Sequence, residues 1–310
     1  MSAVTVTVTI EQIRREAFFA LKGVSPSARL DADVIIAAVL RKSREYVLFH
    51  REQIVSKPDA EAIKAAIKER ASGVPVAYIT GTKEFFGRDF AVNKDVLIPK
   101  PDTELLVEVS LERLLERSYK SIGALKVCDM CCGSGCVGIS IALEAAPFFP
   151  VELTLSDVSL PALSVAKKNA ASLIEKRAPS LSNPISVSFA QSDLFKDFSP
   201  SASFDLIASN PPYVPHEMAL SLLEDGRSEP LLALDGDGDE DGSSDGLSLT
   251  RRLIQQASSR LKARGVLAVE SGEYNIFQAA DVFSDCAFQD VRVFNDLSNL
   301  PRVICGTKHF

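Results

Sequence analysis

A short polar and aromatic motif, Ser209-Asn210-Pro211-Pro212-Tyr213, follows a run of strand-forming residues and is the clearest candidate for chemistry. Two consecutive prolines cannot continue a central strand, so the chain must leave the predicted sheet at this point. The rigid turn would present the Asn210 side-chain oxygen and the Pro211 carbonyl as acceptors, with the Tyr213 ring as a flat cover. Such a set can bind the two N–H groups of a planar amide or amine, which predicts a substrate site at residues 210–213.

A glycine-containing loop lies at the end of an earlier predicted strand. Its residues, Cys131-Cys132-Gly133-Ser134-Gly135, precede a helical pattern, so free backbone N–H groups would face a ligand at the start of that helix. Asp157, at the end of the next predicted strand, could accept hydrogen bonds from both hydroxyls of a ribose. This arrangement predicts a site for a nucleoside-bearing cofactor. The alternative is a tight glycine turn, with Asp157 as a helix cap.

Two segments could be taken for metal sites, and both patterns are incomplete. Four of the six cysteines lie between residues 128 and 136, but a zinc site would need a second ligand pair at suitable spacing. The acidic segment 235–246 resembles a calcium-binding loop, yet Ser248 stands where that loop requires a bidentate glutamate. We therefore expect no metal, and we expect the acidic segment to be a disordered surface insertion.

The composition is that of an ordinary globular protein. The 310 residues are 46% apolar and 24% charged, and no apolar run approaches the roughly 20 residues of a membrane span. The net charge is −7, but residues 1–80 carry 12 basic and 9 acidic side chains, and residues 81–310 carry 22 and 32. The acidic balance argues against a protein that coats nucleic acid. Without a secretion signal and with few cysteines, the chain is expected in the cytoplasm.

The chain divides into three parts by pattern. Residues 1–75 read as a helical domain, in which Thr9 and Gln12 form a capping box and Asp31 or Asp33, then Asp59, open further helices. Aromatic and β-branched residues then predict a β-hairpin connector at residues 76–100. The remainder, 101–310, would be the catalytic domain.

Short strands alternate with helical stretches in this last part. The predicted strands are 126–130, 151–156, 185–190, 204–209, 266–270, 290–294 and 303–306. The alternation predicts an α/β fold with a seven-stranded, mostly parallel, Rossmann-like sheet and helices on both faces. The last two strands are joined too briefly for a crossover helix, so that pair should be antiparallel.

In combination these motifs resemble one known family. Asn-Pro-Pro-Tyr after a glycine-loop strand and an acidic second strand is similar to the amino-methyltransferases that use S-adenosylmethionine. The segments Tyr78-Ile79-Thr80-Gly81, Glu84-Phe85-Phe86-Gly87 and Val96-Leu97-Ile98-Pro99-Lys100-Pro101-Asp102-Thr103-Glu104 resemble the connector of the HemK/PrmC family. That family methylates the glutamine of the Gly-Gly-Gln motif in class I peptide chain release factors. The likeness continues through Phe204-Asp205-Leu206-Ile207, Glu229-Pro230, Asp245-Gly246-Leu247 and Arg302-Val303-Ile304-Cys305-Gly306.

The resemblance implies a class I methyltransferase fold, with S-adenosyl-L-methionine as cofactor and S-adenosyl-L-homocysteine as product. It implies cofactor contacts at Cys131, Cys132, Gly133, Ser134 and Gly135, at Asp157 for the ribose, and at Asp193 and Leu194 beside the adenine. Asn210 would touch both cofactor and substrate, and Asn210, Pro211, Pro212 and Tyr213 would hold the target amide. The implied partner is a class I release factor docked by the helical domain, with no membrane, no direct nucleic-acid contact and a monomeric enzyme.

The sequence departs from the family pattern in three places. Cys131-Cys132 stand where Gly-Thr or a similar pair is usual, Leu194 replaces a frequent aromatic, and Lys100 replaces an arginine. With Leu194, adenine stacking would fall to Phe195 or to apolar packing. The change at Lys100 keeps the charge but removes a bidentate fork.

Three other functions remain open at this point. A glutamine methyltransferase acting on a ribosomal protein would share nearly all these motifs. An N6-adenine nucleic-acid methyltransferase would share Asn-Pro-Pro-Tyr but should carry a basic groove or a target-reading domain. An inactive cofactor-binding scaffold is the third possibility, since the Cys131-Cys132 pair is unusual.

Overall fold

The computed structural model describes residues 8–118, 123–224, 229–238 and 244–309. The chain forms two compact units. The first extends to Thr82, and the second contains Lys83–Leu223 and the residues from Glu229 onward. No helix in the described ranges is both long and apolar enough to cross a membrane.

The first unit is a small helical bundle. Its elements are β1 (Val8–Thr9), α1 (Ile10–Leu21), α2 (Ala28–Leu40), α3 (Arg44–Phe49), β2 (Ile54–Val55), α4 (Lys57–Ala71) and α5 (Val76–Thr80). Apolar residues at helical spacing form its core, with Ile10, Leu21, Ile35 and Ile63 almost fully buried. The capping box is confirmed, since the Thr9 side chain accepts from the Gln12 N–H and the Gln12 side chain accepts from the Thr9 N–H.

Two predicted helix starts in this unit are wrong. Helix α2 begins at Ala28, so Asp31 and Asp33 lie inside it and are buried. Their carboxylates accept from arginines of other helices, with Arg70 Nε 2.7 Å from Asp31 Oδ2 and Arg14 Nε 2.6 Å from Asp33 Oδ1. Helix α4 begins at Lys57 after the Ser56 cap, two residues before Asp59.

The predicted connector contains a hairpin, but its first residues are helical. Strands β3 (Thr82–Phe85) and β4 (Arg88–Ala91) form the hairpin around Phe86-Gly87. Tyr78, which we expected in a strand, lies in α5 instead. That helix begins after Pro75 and ends at Gly81, whose φ of 74° is favourable for glycine alone.

The second unit contains the seven-stranded sheet that the sequence predicts. After a 3₁₀ turn at Pro101–Thr103, its elements are α6 (Glu104–Ser118), β5 (Leu125–Met130), α7 (Cys136–Ala145), β6 (Val151–Asp157), α8 (Leu160–Leu173), β7 (Ile185–Gln191), β8 (Phe204–Ser209), α9 (His216–Glu224), α10 (Ser248–Arg260), β9 (Leu261–Glu270), α11 (Ile276–Asp285), β10 (Phe288–Asn295) and β11 (Pro301–Lys308). The strand order is β10-β11-β9-β8-β5-β6-β7. The β10–β11 and β11–β9 pairs are antiparallel, and the other four pairs are parallel. The mostly parallel sheet and the antiparallel last pair are therefore confirmed.

The topology determines where a ligand can bind. From β5 the chain continues through β6 to β7 on one side, and then crosses back to β8 on the other side. In open α/β sheets the ligand crevice lies at such a switch point, beyond the carboxyl ends of the strands. The residues that follow β5 and β8 are the glycine loop and Asn210-Pro211-Pro212-Tyr213, so the fold brings both motifs to one edge.

Candidate active site

A cavity of about 270 Å³ opens at this edge of the sheet. Nine of the residues predicted for the site line it: Cys131, Cys132, Gly133, Ser134, Asp157, Asp193, Leu194, Asn210 and Pro212. Gly135, Pro211 and Tyr213 do not belong to its described lining. Gly135 instead precedes α7 as its N-cap, and the Tyr213 hydroxyl bonds to a carboxylate within the protein. Nine of the twelve predicted site residues thus lie in the wall, while the roles of these residues remain predictions.

The glycine loop follows β5 in a left-handed conformation. Gly133 and Gly135 have φ values of 51° and 77°, and Cys131 has a φ of 57°. A left-handed backbone costs a residue with a side chain on the order of 1–2 kcal/mol, so Cys131 occupies a position that favours glycine. The Cys132 N–H donates to the Ser156 carbonyl at 2.9 Å. This bond joins the loop to the end of β6.

Two buried carboxyl groups lie beside this loop. Asp129 is 1% exposed and accepts from the Gly138 N–H at 2.8 Å; burial raises its pKa to about 7, and Asp157 adds to the rise. Asp157 accepts from the Gly133 and Ser159 N–H groups at 2.8 and 2.9 Å, and its burial likewise raises its pKa. Each carboxylate oxygen can accept more than one hydrogen bond. Asp157 can therefore hold the loop and still accept a ligand hydroxyl.

The turn after β8 is fixed from several sides. The Ser209 hydroxyl donates to the Met130 carbonyl at 2.7 Å, which joins the ends of β8 and β5. Asn275 Nδ2 donates to the Tyr213 carbonyl at 3.0 Å. Gly246 also approaches this carbonyl so closely that a Cβ there would lie 2.2 Å from the oxygen. The backbone of the motif is thus held in one position.

The Asn210 side chain has a defined orientation. Its Nδ2 donates to Thr103 Oγ1 at 3.2 Å, and no described residue donates to its Oδ1. Asn210 lines the cavity and is partly exposed, so this oxygen is available to an amide N–H of a bound molecule. The sequence predicts such an acceptor at this position.

Lys100 and Leu194 are the other two departures from the family pattern, and the structure shows what each of them contacts. Lys100 Nζ lies 2.7 Å from Glu229 Oε1, so the lysine still forms an ion pair at the cavity wall. Leu194 is 3% exposed and lines the cavity, whereas Phe195 packs against Phe198 with ring centroids 5.2 Å apart. Apolar packing by Leu194 is therefore the contact available to a planar ring.

Three of the four cysteines considered for a metal site are buried. Burial raises the pKa of the Cys128, Cys132 and Cys136 thiols, which keeps them protonated. Within the described ranges, no cluster of His, Cys, Asp and Glu is arranged to hold a metal ion. Residues 239–243 of the calcium-like segment lie outside those ranges.

The described ends of the acidic segment are not a disordered surface. Asp237 is 4% exposed and accepts from the Gly246 N–H at 2.7 Å and from the His216 N–H at 3.2 Å. Asp235 pairs with the His216 ring at 2.6 Å. The expectation of a disordered insertion is wrong at these ends, because Asp237 serves as a buried acceptor.

Similar proteins identify the family. Residues 12–81 match the model of the PrmC N-terminal domain, and residues 104–225 match that of the methyltransferase small domain. The release factor glutamine methyltransferase of Clostridium acetobutylicum is 33% identical to this chain, with 90% of each chain covered. Those of Leptospira interrogans and Neisseria gonorrhoeae are 36% and 35% identical, over 83% and 92% of this chain and 83% and 95% of their own. The chain belongs to the release factor glutamine methyltransferase family.

The resemblance inferred from the motifs is thus confirmed. A solved protein-(glutamine-N5) methyltransferase (release factor-specific) from Alicyclobacillus acidocaldarius is 28% identical; the match covers 71% of this chain and 100% of that one, with a TM-score of 0.40. Membership in the release factor glutamine methyltransferase family makes the chain an enzyme of the methyltransferase class, as predicted.

Sequence reasoning missed several residues that shape the site of this methyltransferase. Thr103 and Asp129 line the cavity, Glu270 accepts from the Tyr213 hydroxyl at 3.3 Å, and Asn169 donates to the Ser134 carbonyl at 2.9 Å. Thr103, Glu270 and Asn169 act through partners far away in sequence, so no local pattern identifies them. An acidic residue in the buried part of a strand, as at Asp129 and Glu270, is the available signal.

Proposed function

We propose that this chain transfers the methyl group of S-adenosyl-L-methionine to the side-chain N5 of the glutamine in the Gly-Gly-Gln motif of class I peptide chain release factors. The observation that carries the proposal is the Asn210 side chain, which lines the cavity and donates its Nδ2 to Thr103, while its Oδ1 accepts from no described residue. The family membership supports the same reaction, because the curated relatives are named for it.

The cavity fits the cofactor. Asp157 lies where it can accept the ribose hydroxyls, and Leu194 offers an apolar surface to the adenine. Asp129, Asp157 and Asp193 line the cavity together with Lys94 and Lys100, so the wall offers acidic and basic groups to a ligand. When bound, the cofactor supplies an electrophilic methyl group on a sulfonium sulfur.

The protein then has to position the amide nitrogen for attack on that methyl group. An amide is a poor nucleophile because its lone pair is delocalised into its carbonyl group. Asn210 Oδ1 and the Pro211 carbonyl would accept its two N–H groups and fix its distance to the methyl group, and positioning at about 3–3.5 Å can supply several kcal/mol. Acceptors fixed in advance also stabilise the positive charge that develops on nitrogen, and the proton then leaves to solvent.

A labelled-methyl assay tests the proposal. We would incubate the full chain with labelled S-adenosylmethionine and, separately, a release factor, its Gly-Gly-Gln to Gly-Gly-Glu variant, ribosomal proteins and DNA. Label on the wild-type release factor alone is the expected result, because a glutamate side chain has no N–H to donate to Asn210. Label on the glutamate variant, on a ribosomal protein or on DNA would replace this function with another. Absence of label despite cofactor binding would indicate an inactive scaffold.

The release factor also implies where and how the enzyme acts. We propose a cytoplasmic enzyme, because release factors act on ribosomes, and one that acts as a monomer. Sedimentation of the full chain, alone and with release factor, would measure both the oligomeric state and the stoichiometry of the complex.

A further inference from the structure

The segment that follows β7 contains a residue with a strained backbone. Ser192, Asp193 and Leu194 line the cavity, and Leu194 has a φ of 51°. A left-handed backbone is disfavoured for a residue with a side chain, and it persists only where the surrounding structure fixes it. Other contacts of residues 192–195 must therefore hold Leu194 in the cavity wall.

One face of helix α10 packs against this segment. The face consists of residues spaced three and four positions apart, which lie on the same side of a helix: Leu249, Arg252, Leu253 and Gln256. Leu249 lines the cavity, and Leu253 belongs to the same hydrophobic cluster as Leu194 and Phe195. Apolar packing therefore joins the segment to α10, and the two polar residues of this face can add directed bonds.

The neighbours of Leu194 on both sides are bonded to α10. Arg252 Nη2 donates to Asp193 Oδ2 at 2.7 Å, and Gln256 Oε1 accepts from the Phe195 N–H at 3.2 Å. Phe195 is 2% exposed, so its N–H has no access to water as a substitute for Gln256. The ion pair is more exposed, with 37% of the Arg252 side chain and 41% of the Asp193 side chain accessible, so it should contribute less.

We propose that Gln256, and to a lesser degree Arg252, are positioning residues, which hold residues 192–195 in the conformation that receives the adenine of the cofactor. This inference rests on the part of the proposed function that places the adenine at Leu194. Neither Gln256 nor Arg252 belongs to the described lining of the cavity, so both act through the segment and not on the ligand. Without the Gln256 bond, Leu194 can return to an ordinary backbone conformation, and its side chain then leaves the wall.

Substitution of Gln256 tests the contact. Gln256→Met keeps the length of the side chain and a high helix propensity but removes the acceptor oxygen, so the Kd of S-adenosylhomocysteine should rise about tenfold. Gln256→Glu retains an acceptor and should bind within about twofold of the wild type. Arg252→Gln should raise the Kd only about two- to threefold. Gln255→Met, at an exposed position of the same helix, is the control and should leave the Kd unchanged.

A comparison of ligands separates positioning of the base from a merely structural role. The Kd of adenosine should rise in Gln256→Met by the same factor as that of S-adenosylhomocysteine, because both carry the base. The KM for S-adenosylmethionine should rise as well, with kcat at saturating cofactor near the wild-type value. A Tm that falls while both Kd values stay unchanged, or a Kd that rises for S-adenosylhomocysteine and not for adenosine, would overturn the proposal.

Hydrogen exchange of the Phe195 N–H measures the bond itself, without ligand or turnover. In the free full-length chain, exchange should be about tenfold faster in Gln256→Met than in the wild type and should stay slow in Gln256→Glu. Equal exchange in the wild type and Gln256→Met would overturn this inference, whatever the enzyme methylates. Absence of label on the release factor, with the Kd differences intact, would overturn the proposed function and leave this inference standing.

Discussion

In the helical unit, the buried carboxylates of Asp31 and Asp33 accept hydrogen bonds from Arg70 and Arg14, whereas the buried Asp129, Asp157 and Glu270 of the sheet unit form no ion pair with a described residue. Burial acts to raise the pKa of Asp31, but bonds from Arg70, Ser27 and Ser25 lower it overall. In the sheet unit, burial dominates, and Asp129 and Glu270 both reach a pKa of about 7.

The difference shows two uses of a buried carboxyl group, although Glu229 of the sheet unit also pairs with a cation, Lys100. An ion pair that joins two helices fixes their register. The hydrogen-bonding capacity of its carboxylate is used within the fold. A buried carboxyl group without a cation costs stability and is retained where it serves a ligand or a reaction. The unpaired carboxyl groups lie at the carboxyl edge of the sheet, beside the cavity. Substitutions in the two units should therefore affect different properties.

Asn210→Ala should have the largest effect. It removes the side-chain acceptor for the substrate amide, so we expect methyl transfer to fall at least about a hundredfold, with cofactor affinity and Tm nearly unchanged. Rates from labelled-methyl assays and Kd values from titration calorimetry provide the measurement. The exposed Asn295→Ala is the control. Turnover near the wild-type rate would remove Asn210 from the mechanism.

Arg14→Ala should produce the opposite pattern. It leaves Asp33 buried without a cation, which should lower the free energy of unfolding of the helical unit by about 3 kcal/mol. Urea denaturation measures the loss, and cofactor affinity should stay the same. Arg15→Ala, at an exposed neighbouring position, should be close to neutral. Equal losses for the two variants would show that the ion pair does not stabilise the bundle.

The pH dependence of stability should have opposite signs for the carboxyl groups whose pKa is raised and for those whose pKa is lowered. Asp129 and Glu270 have folded-state pKa values raised to about 7, so their stabilisation is complete below their unfolded pKa values and is lost as the pH rises through 7. We expect about 2 kcal/mol of loss per group between pH 5 and pH 8. Asp31, with its lowered pKa, should instead lose its contribution as acid protonates it. Denaturation at several pH values would contradict this if stability rose steadily from pH 5 to pH 8.

Asp157→Ala tests an unpaired carboxyl group that lines the cavity. A hydrogen bond to a charged acceptor contributes about 1.5–3 kcal/mol, so cofactor Kd should rise about tenfold to a hundredfold. Asp281→Ala, on the exposed side of α11, is the matched control. If the Kd did not change, Asp157 would not bind the ribose.

Local patterns account for what the sequence could predict. The strands, the capping box at Thr9 and the position of Asn210 depend on residues a few places apart, and the structure has all of them. The errors arise where the conformation of a residue depends on a contact with a residue far away in the sequence. Asp31, for example, lies inside a helix and accepts from Arg70, which is 39 positions further along the chain.

Contacts between residues far apart in sequence also limited what could be predicted of the site. Thr103 contacts Asn210 across 107 positions, and the Tyr213–Glu270 contact spans 57. Cys131 adopts a left-handed backbone that nothing in its own residue type predicts. Family resemblance indicates that such a loop binds the cofactor, but the geometry of its neighbours has to be observed.

Asn169 has a consequence for how the catalytic unit moves. It is 1% exposed, and its amide accepts from the Ala91 N–H at 2.7 Å and donates to the carbonyls of Ala91 and Ser134 at 3.0 and 2.9 Å. One side chain thus joins the β3–β4 hairpin to the glycine loop. Opening either segment breaks bonds to both, so their fluctuations should be cooperative. Any ligand that orders the glycine loop should therefore also order the hairpin, and the affinity for that ligand should include this entropic cost.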